Sequence, residues 1–346
     1  MAHTRRGFLK LAGAATVAAA AVPHGGGAAQ TPAPGKRSGN GGQMPKGLTL
    51  CTLRSGDRFT LGVRTKKGVL DVEKAAKALR KTSPTTMDDL LQGGDGKALQ
   101  ALVEAATANG NAKGAFVAEE RAPFGPCVTN PEKIIMLGFN YKKHVEEVKT
   151  KMPTSPVFFN KYNNALNHHG GVINLPQKVG SKFDYEVELV VVMGKTARDV
   201  SEADALSYVF GYATGNDFTA RDLQFKTSQY VLGKSCDGFA PLGPWLVTAD
   251  QIPDPQTLKL ECSVNGEVRQ SANTNDMIFS VANIVSYASQ HFTLKPGDIF
   301  FTGTPEGVIL GKPEDQQVWL KAGDVVVTSI EKLGDLRITL APAQQA

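Results

Sequence analysis

Cysteine is scarce in this sequence, and its spacing argues against one common kind of metal site. Cys51, Cys127, Cys236 and Cys262 lie far apart, and the chain contains no CxxC pair. Structural zinc sites are usually built from such closely spaced cysteines. We therefore expect buried thiols, although an oxidising compartment would permit disulfides, whose pairing the spacing cannot decide.

Motifs of several common enzyme classes are also absent. The chain contains no GxGxxG, GxxxxGK[ST], HExxH or GxSxG motif, which removes support for nucleotide binding and for serine-hydrolase chemistry. Lysine and arginine form no cluster typical of a nucleic-acid-binding protein. Beyond the N-terminus, no apolar run reaches the length of about 18 residues that predicts a membrane span.

The N-terminus has the pattern of an export signal. The stretch HTRRGFLKLAGAATVAAAAVPHGGGAAQ has a basic start, an alanine-rich apolar run and small residues at its end. Arg5 and Arg6, with the GFLK that follows, resemble the twin-arginine motif. We predict a signal over residues 1–29 that directs the folded protein through the Tat translocon to the periplasm, with no stable membrane span after cleavage. A generic signal or a retained anchor is the alternative.

The rest of the chain divides into three segments by composition. Residues 30–46 are rich in glycine and proline, which is typical of a flexible linker. Residues 47–118 contain three strand-like runs and then a stretch with helical spacing and a glycine stop, which predicts a small N-terminal subdomain. Residues 119–346 form the predicted main domain.

Short strands predominate in the predicted main domain. KIIMLGFN and VELVVVMG have the composition of buried strands, and TLKLECSVNGEVRQ predicts a hairpin with an Asn-Gly turn. Helices are predicted for DMIFSVANIVSYASQH and for SEADALSYVFGYATGND, where Ser201 is the N-cap. The regular strand–helix alternation of a parallel sheet is missing. The sequence therefore predicts a β-rich, mixed α+β fold.

The stretch FDYEVELVVV, residues 183–192, combines a buried strand with three acids. Asp184, Glu186 and Glu188 occupy alternate positions, so in an extended strand all three point to one face. Like charges repel unless something neutralises them, and hard divalent cations prefer carboxylate oxygens. Asp217, in a polar turn after a predicted apolar helix, offers a further ligand. The alternative is a solvated strand edge with ion-paired acids.

Other residues are suited to proton transfer or to binding anions. His144 and Glu147 are neighbours if their segment is helical, and the carboxylate would then orient the imidazole as a general base. Lys161 follows a strand-like run and Lys234 lies in a glycine-rich turn, where either could bind a substrate carboxylate or a developing enolate. Thr304 lies in an FTGTP loop that could face an oxyanion. For the histidine and the lysines, an ordinary surface position is the alternative.

Together these stretches resemble the fumarylacetoacetate hydrolase family. The matching segments are LGFNYKKHVEE, FDYEVELVVVMGK, NDFTARDLQ, LGKSCDGFAPLGP, VNGEVRQ and LKPGDIFFTGTPEGV, in the family's order over about residues 130–340. The resemblance implies a mixed β-sandwich roll or barrel, usually a homodimer, with a small N-terminal subdomain in longer members. Residues 119–346 would then be the catalytic domain.

The resemblance also implies roles for individual residues. It implies a Mg²⁺ ion, or alternatively Mn²⁺ or Ca²⁺, held by three carboxylates, with Asp184 as their neighbour. The residues implied for catalysis, for the metal and for substrate binding are, in that order, His144, Glu147 and Lys234; Glu186, Glu188 and Asp217; and Lys161, Arg221, Gln224 and Thr304.

The implied activity concerns 2-oxo acids. The resemblance implies a metal-dependent hydrolase that cleaves a C–C bond in a 2,4-dioxo acid, such as an acylpyruvate or fumarylpyruvate, to a 2-oxo acid and a carboxylic acid. A decarboxylase or an isomerase of 2-oxo or 2-hydroxydienoic diacids is the alternative, followed by a non-catalytic exported dicarboxylate-binding protein. Tyr162, Cys236 and Gly238 depart from the usual family residues near the expected substrate region, which leaves the substrate open.

Overall fold

In the computed structural model, which describes residues 43–108 and 110–343, short strands outnumber helices. The strands are β1 (Thr49–Ser55), β2 (Arg58–Thr65), β3 (Gly68–Asp71), β4 (Phe116–Val117), β5 (Phe124–Gly125), β6 (Ile134–Gly138), β7 (Val157–Lys161), β8 (Leu166–Asn167), β9 (Val172–Asn174), β10 (Phe183–Asp184), β11 (Val187–Met193), β12 (Val209–Asn216), β13 (Thr219–Ala220), β14 (Ala240–Pro241), β15 (Leu246–Thr248), β16 (Lys259–Val264), β17 (Glu267–Asn273), β18 (Ile299–Phe301), β19 (Val325–Ile330) and β20 (Gly334–Ala341). The α-helices are α1 (Val72–Leu79), α2 (Met87–Leu91), α3 (Gly96–Ala108), α4 (Lys142–Glu147), α5 (Glu202–Ala205), α6 (Arg221–Gln224), α7 (Val231–Lys234) and α8 (Val281–His291).

The export signal predicted for residues 1–29, and residues 30–42 of the predicted linker, lie outside the described residues. Residues 43–46 of that linker have no regular secondary structure, and Pro45 is buried. Within the described ranges, no helix is long and apolar enough to cross a membrane.

The larger sheet contains eleven strands. Its order is β4–β3–β2–β1–β15–β12–β11–β18–β6–β7, and β5 also pairs with β1. Neighbouring strands are antiparallel except β18 and β6, which are parallel. In the part of the chain that the structure describes, the end strands β4 and β7 do not pair with each other. The expected strand-rich α+β fold is confirmed, as an open sheet and not as a closed barrel.

A second sheet, with the order β17–β16–β19–β20–β9, packs against the middle of the larger one. β11 contacts β16 and β19, and β12 contacts β19 and β20. Leu189 and Val191 of β11 share one apolar core with Leu260 of β16 and Val326 of β19. The two sheets therefore form a β-sandwich.

The opposite side of β11 belongs to a second apolar core. Val190 and Val192 lie in this core, which extends through the N-terminal strands to Leu99 and Leu102 of α3. Alternate side chains of a strand point to opposite faces, so β11 contributes to both cores. This explains why the apolar residues of β11 are all buried, as the run from Leu189 to Val192 predicts.

The segment predicted as an N-terminal subdomain contributes strands to the larger sheet. β1 pairs with β15, where Leu50 lies opposite Leu246, and β2, β3 and β4 extend the sheet outward from β1. Helices α1 to α3 follow within the same segment. The division between residues 118 and 119 stays a prediction.

The helix predicted from Ser201 is wrong beyond its first turns. Ser201 does cap α5, since its side chain accepts a hydrogen bond from Asp204 N, but the chain then forms strand β12 from Val209 to Asn216. This strand pairs with β11 on one side and β15 on the other. Valine, phenylalanine and tyrosine favour strands, and pairing on both sides outweighs the helical signal of the preceding turn. Asp217 consequently follows a strand and not a helix.

Other local predictions are confirmed. Asn265 and Gly266 form the hairpin turn between β16 and β17, with φ angles of 52° and 85°, in the left-handed region that such turns need. Ser280 caps α8. The four cysteines are unpaired thiols, of which Cys236 is half-buried and the others are buried.

Candidate active site

Three acidic side chains meet where β11 begins and β12 ends. Val187 of β11 pairs with Asn216 of β12, and the N–H of Asp217 donates to the carbonyl oxygen of Glu186 at 2.9 Å. This pairing brings Glu186, Glu188 and Asp217 together, with one carboxylate oxygen of each within 4.8 Å of the others. None of the three residues is more than 4% exposed.

Three basic side chains surround two of these acids. Lys234 Nζ donates to Glu186 Oε2 and to Asp217 Oδ2, both at 2.6 Å. Arg221 Nη2 donates to Glu186 Oε1 at 2.6 Å, and Lys161 Nζ lies 2.5 Å from Asp217 Oδ1. Burial disfavours the charge of Glu186, but Arg221 and Lys234 outweigh this and lower its pKa. Burial likewise disfavours the charge of Lys234, but Asp217 and Glu186 raise its pKa.

Glu188 is the acid whose charge is least compensated. Its Oε2 accepts a hydrogen bond from Gly303 N at 2.7 Å, while no lysine or arginine of the described chain forms an ion pair with it. Burial raises the pKa of Glu188 well above its ordinary value, and the charges of Asp217 and Glu186 raise it further. A positive charge beside Glu188 would remove this penalty.

The donor set fits a divalent cation. Glu186, Glu188 and Asp217 offer only carboxylate oxygens, the ligands that Mg²⁺, Mn²⁺ and Ca²⁺ prefer. Asp217 Oδ1 is buried and contacts the ammonium group of Lys161 at 2.5 Å, so the observation that favours a cation is the weakly compensated charge of the buried Glu188. These three residues could therefore hold the ion that the sequence predicts.

A histidine–carboxylate pair lies beside the acids. Helix α4 places His144 Nδ1 3.3 Å from Glu147 Oε2, in the helical arrangement that the sequence predicts. Glu147 Oε1 accepts a hydrogen bond from Gly307 N at 2.9 Å, and a Cβ atom at Gly311 would lie only 2.2 Å from Glu147 Cδ. The side chain of Glu147 is thus held between α4 and the loop over residues 307–311. The ring of Phe139 stacks on His144 with centroids 6.4 Å apart.

Two cavities that share part of their lining lie beside this pair. The inner cavity, of about 30 Å³, is lined by residues that include His144, Glu186, Glu188, Lys234, Tyr230 and Thr304. The outer cavity, of about 690 Å³, has His144 and Glu147 on its wall. Four residues line both cavities: Phe139, His144, Arg221 and Gln224. The imidazole therefore lies between the carboxylate cluster and a space large enough for a small organic acid.

A sequence model of a known family covers this whole region. The model described as fumarylacetoacetate (FAA) hydrolase, C-terminal, matches residues 133–341. The chain belongs to the fumarylacetoacetate hydrolase family. The predicted resemblance is confirmed.

Members of the fumarylacetoacetate hydrolase family that resemble this chain have different activities in their names. The chain is 44% identical over 210 residues to oxaloacetate tautomerase fahd2 of Xenopus laevis, across 60% of this chain and 65% of that protein. It is 45% identical over 232 residues to 2,4-didehydro-3-deoxy-L-rhamnonate hydrolase of Sphingomonas sp. (strain SKA58), across 65% of this chain and 81% of that protein. The structure of maleylpyruvate hydrolase from Sphingobium sp. SYK-6, with manganese(II) and pyruvate, matches with a TM-score of 0.68 and 30% identity, across 86% of this chain and all of that one.

The residues that the family resemblance implies for substrate binding differ in whether they line the cavities. Arg221 and Gln224 line both cavities and are joined by a hydrogen bond of 3.1 Å from Arg221 Nη1 to Gln224 Oε1. Thr304 lines the inner cavity, and its Oγ1 accepts a hydrogen bond from Gln270 Nε2 at 2.9 Å. Lys161 does not line either cavity. Its ammonium group contacts Asp217 and donates to two backbone carbonyl oxygens. Lys161 therefore stabilises the charge of Asp217 and does not face either cavity.

Three further residues position the side chains of the site; the sequence placed Asp184 beside the metal ligands but assigned no role to Asn216 or Gln270. Asp184 Oδ2 accepts from Arg221 Nε at 2.9 Å, and the two Asp184 oxygens also accept from the N–H groups of Ile309 and Leu310. Asn216 Oδ1 accepts from Glu186 N, and Gln270 Oε1 accepts from Val187 N. Asn216 and Gln270 lie inside matching segments of the family, which was the only signal available for them. Of the three acids predicted to share one face, Glu186 and Glu188 are therefore candidate metal ligands, whereas Asp184 positions Arg221.

Proposed function

We propose that the protein is a divalent-metal-dependent hydrolase of 2,4-dioxo acids, which it cleaves at a C–C bond to a 2-oxo acid and a carboxylic acid. The observation that carries this proposal is that His144 lines the same cavity as Glu186 and Glu188. A proton acceptor thus lies beside a candidate cation site. The structural neighbour from Sphingobium, a maleylpyruvate hydrolase with manganese(II) and pyruvate, supports this reading.

The carboxylate cluster provides the place where the substrate's 2-oxo acid end would bind. Glu186, Glu188 and Asp217 would hold Mg²⁺ or Mn²⁺, which acts there as a Lewis acid toward the oxygens of a bound 2-oxo acid. Arg221 and Gln224 line both the inner and the outer cavity. They are therefore placed to orient the substrate chain between the two spaces.

The histidine–carboxylate pair supplies the base. Because Nδ1 of His144 faces Glu147, Nε2 is the nitrogen that accepts a proton from water, while Glu147 stabilises the imidazolium that forms. The water oxygen then bonds to the carbonyl carbon distal to the 2-oxo acid end. When the C–C bond breaks, its electron pair stays with the 2-oxo acid fragment, whose carbon takes up a proton. The other fragment leaves as a carboxylic acid.

Positive charge near the reacting carbonyl comes from Lys234. Its ammonium lines the inner cavity while it bridges Glu186 and Asp217, and these two carboxylates keep it protonated by raising its pKa. A fixed cation of this kind stabilises a developing oxyanion. Thr304, on the same cavity wall, offers a hydroxyl for the same oxygen.

A second candidate function is tautomerisation or isomerisation of a 2-oxo diacid. The 44% identity to an oxaloacetate tautomerase favours it, and it is a member of the isomerase class that the sequence leaves open. His144 would then take a proton from the carbon beside the 2-oxo group and not from water. The same geometry serves both reactions, since each begins with a proton transfer to the imidazole.

The test is product analysis with a defined set of substrates. The chain from residue 30 to 346 is stripped with chelator, reloaded with Mn²⁺ or Mg²⁺, and incubated with acylpyruvates and with oxaloacetate. We expect a 2-oxo acid plus a carboxylic acid, identified by mass spectrometry, only when metal is present. A change in the enol absorbance of oxaloacetate with no fragments would support the second candidate, and pyruvate plus CO₂ would identify a decarboxylase.

The route of export is a separate proposal. We propose that Arg5 and Arg6 direct the protein to the periplasm by the twin-arginine pathway, because they precede the apolar run as that signal requires. Replacing both with lysine should retain the protein inside the cell, as measured by fractionation. Unchanged release into the periplasmic fraction would contradict the proposal.

A further inference from the structure

We propose that Phe139 and Phe225 form an apolar subsite for the distal end of the substrate, so that the protein prefers 2-oxo acids with an aryl or alkyl end over those with a second carboxylate. This inference rests on the proposed function, since it assumes that a 2-oxo acid binds at the carboxylate cluster. The inner cavity, of about 30 Å³, is too small for a whole substrate. The distal end of the substrate therefore meets the outer cavity of about 690 Å³, which shares Phe139 and His144 with the inner one.

Most of the lining surface of the outer cavity is apolar. Its apolar side chains come from the turn before α4, the end of α4, the end of α6 and the loop over residues 309–313: Phe139, Val148, Phe225, Leu310 and Pro313. Three of them are half-buried, and Phe225 and Pro313 are exposed. Their surface is therefore in contact with water until a ligand covers it. An aryl or alkyl group gains affinity by covering such surface.

Phe139 is held in a conformation that few bulky residues adopt. Its φ is 56°, in the left-handed region where an aromatic residue is uncommon. Strained backbone of this kind persists where the surroundings fix it, and it is concentrated at functional sites. Here it places an aromatic ring against His144, with centroids 6.4 Å apart and planes 17° apart. Phe139 therefore lines both cavities beside the candidate base.

The next residue fixes this conformation. Asn140 is fully buried, and its Nδ2 donates to the carbonyl oxygens of Thr302 at 2.8 Å and Phe279 at 3.1 Å. Its Oδ1 accepts from Phe279 N at 2.9 Å, and its carbonyl oxygen accepts from Ile278 N at 2.7 Å. The turn between β6 and α4 cannot relax without losing these buried hydrogen bonds, which is costly. The backbone that carries Phe139 is therefore fixed, and its ring is preorganised for a ligand.

Phe225 extends the apolar surface of the outer cavity. It is 56% exposed, although it lies on the wall of this cavity. Its ring contacts Tyr230 edge to face with centroids 6.2 Å apart, and Tyr230 contacts Phe159 in the same manner at 5.6 Å. Tyr230 and Phe159 line the inner cavity. Aromatic rings therefore line both cavities, and an aryl group can pack against their faces and edges.

The charged groups of the outer cavity offer little to a second carboxylate. Arg221 is already bound by two acids, and Glu147, which also lines this cavity, would repel a second carboxylate. Lys149 is exposed and Lys312 is half-buried, and ion pairs with lysines that water can reach are weak. A carboxylate that packs against the apolar lining would also lose its own hydration. Apolar contact therefore outweighs charge at the distal end of the substrate.

The experiment compares three ligands that cannot be hydrolysed. 2-Oxo-4-phenylbutanoate has an aryl end, 2-oxohexanoate an alkyl end and 2-oxoadipate a carboxylate end, and none contains the second oxo group that hydrolysis requires. Dissociation constants are measured by calorimetry on the Mn²⁺-loaded protein for the wild type, Phe225→Ala and Phe139→Leu, with circular dichroism as the folding control. Phe59→Ala is the matched control, because Phe59 is also an exposed phenylalanine but lines neither cavity.

We expect the wild type and Phe59→Ala to bind 2-oxo-4-phenylbutanoate about tenfold more tightly than 2-oxoadipate, with 2-oxohexanoate between them. Phe225→Ala and Phe139→Leu should each lose about threefold for the aryl ligand, and their affinity for 2-oxoadipate should not fall. Since Phe225 is exposed, its variant should fold even if Phe139→Leu does not.

Three other outcomes would count against the subsite. Equal or tighter binding of 2-oxoadipate by the wild type would overturn it and would indicate that the lysines recognise a carboxylate instead. An aryl preference that is unchanged in Phe225→Ala, or in a folded Phe139→Leu, would remove that residue from the subsite. If none of the three ligands binds, the proposed 2-oxo acid site itself is wrong, and the inference fails with it.

Discussion

The two halves of the candidate active site are built in different ways. Glu186, Glu188 and Asp217 lie at the start of β11 and the end of β12, which are central strands, and all three are buried. His144 and Glu147 lie on α4, a helix of six residues. Glu147 is additionally held by a hydrogen bond from Gly307 and is partly exposed.

This difference separates the binding of the ion from the transfer of the proton. β11 contributes side chains to both apolar cores, so the carboxylates can move only if the sandwich itself is disturbed. The histidine–glutamate pair depends on one short helix and one loop. We therefore expect substitutions in the first half to affect metal binding, and substitutions in the second half to affect turnover alone.

The largest effect is expected for Glu188→Gln. Loss of an outer-shell partner already weakens metal binding by about 10–100-fold, so loss of a charged ligand should exceed this and reduce turnover to the background. Glutamine keeps the size of the side chain and can still accept from Gly303 N. Mn²⁺ affinity by calorimetry and circular dichroism as a folding control give the test. A folded variant with unchanged Mn²⁺ affinity would remove Glu188 from the metal site.

The next largest effect is expected for His144→Gln. Removal of a general base slows turnover by about 10²–10⁴-fold, while Mn²⁺ affinity should stay within a factor of about three because His144 is not a predicted ligand. Glu147→Ala should slow turnover less and also leave metal binding intact. Full turnover in Glu147→Ala would show that the pair does not act as the base.

A smaller effect on turnover is expected for Gly311→Ala. The added methyl group would lie 2.2 Å from Glu147 Cδ, so the Glu147 carboxylate must leave its present position, in which it lies 3.3 Å from His144 Nδ1. Misplacement of a catalytic group by about 1 Å lowers rates by up to about 10²-fold, and Mn²⁺ binding should not change. Gly114→Ala is the control, since a Cβ atom there meets nothing within 4 Å. Equal turnover in the two variants would contradict the coupling between α4 and the loop.

The smallest effect is expected for an ion pair that belongs neither to the carboxylate cluster nor to the histidine–glutamate pair. Glu132 contacts Lys133 at 2.9 Å and Lys295 at 2.6 Å, and hydrogen bonds from Lys295 and Lys133 lower the pKa of Glu132 to about 2. A lowered pKa in the folded state stabilises the protein above the unfolded-state pKa, and the contribution is lost as the pH falls from about 5 to about 2. Because the side chain is 37% exposed, we expect Glu132→Gln to lower the free energy of unfolding by less than about 1 kcal/mol at pH 7. Urea unfolding of both proteins across this pH range should show the difference shrinking toward acid pH.

Local sequence patterns predicted much of the fold. The buried strand predicted from the apolar run Leu189–Val192, the Asn265–Gly266 hairpin and the helical spacing of His144 and Glu147 are all found in the structure. Such signals depend on neighbouring residues alone. The family resemblance likewise identified the carboxylates that the structure brings together.

Strand β12 shows where local patterns failed. The sequence after Ser201 begins as a helix does, and α5 does form. Whether the chain continues as a helix or as a strand depends on whether β11 and β15 leave their backbone groups open for pairing between them. Neither strand belongs to the local sequence around Ser201. Pairing with these two strands decides the outcome.

Residue types and their local spacing identified the chemical groups of the site: acids suited to a hard cation, a histidine with a carboxylate one helical turn away, and lysines for anions. The pairing of β11 with β12 and the packing of the loops establish that Asp217 joins Glu186, that Asp184 holds Arg221, and that a Cβ atom at Gly311 would meet Glu147. The physical reason is that these contacts join segments far apart in the chain. Their geometry follows from the pairing of whole strands and the packing of two sheets, which residue types and spacing do not specify.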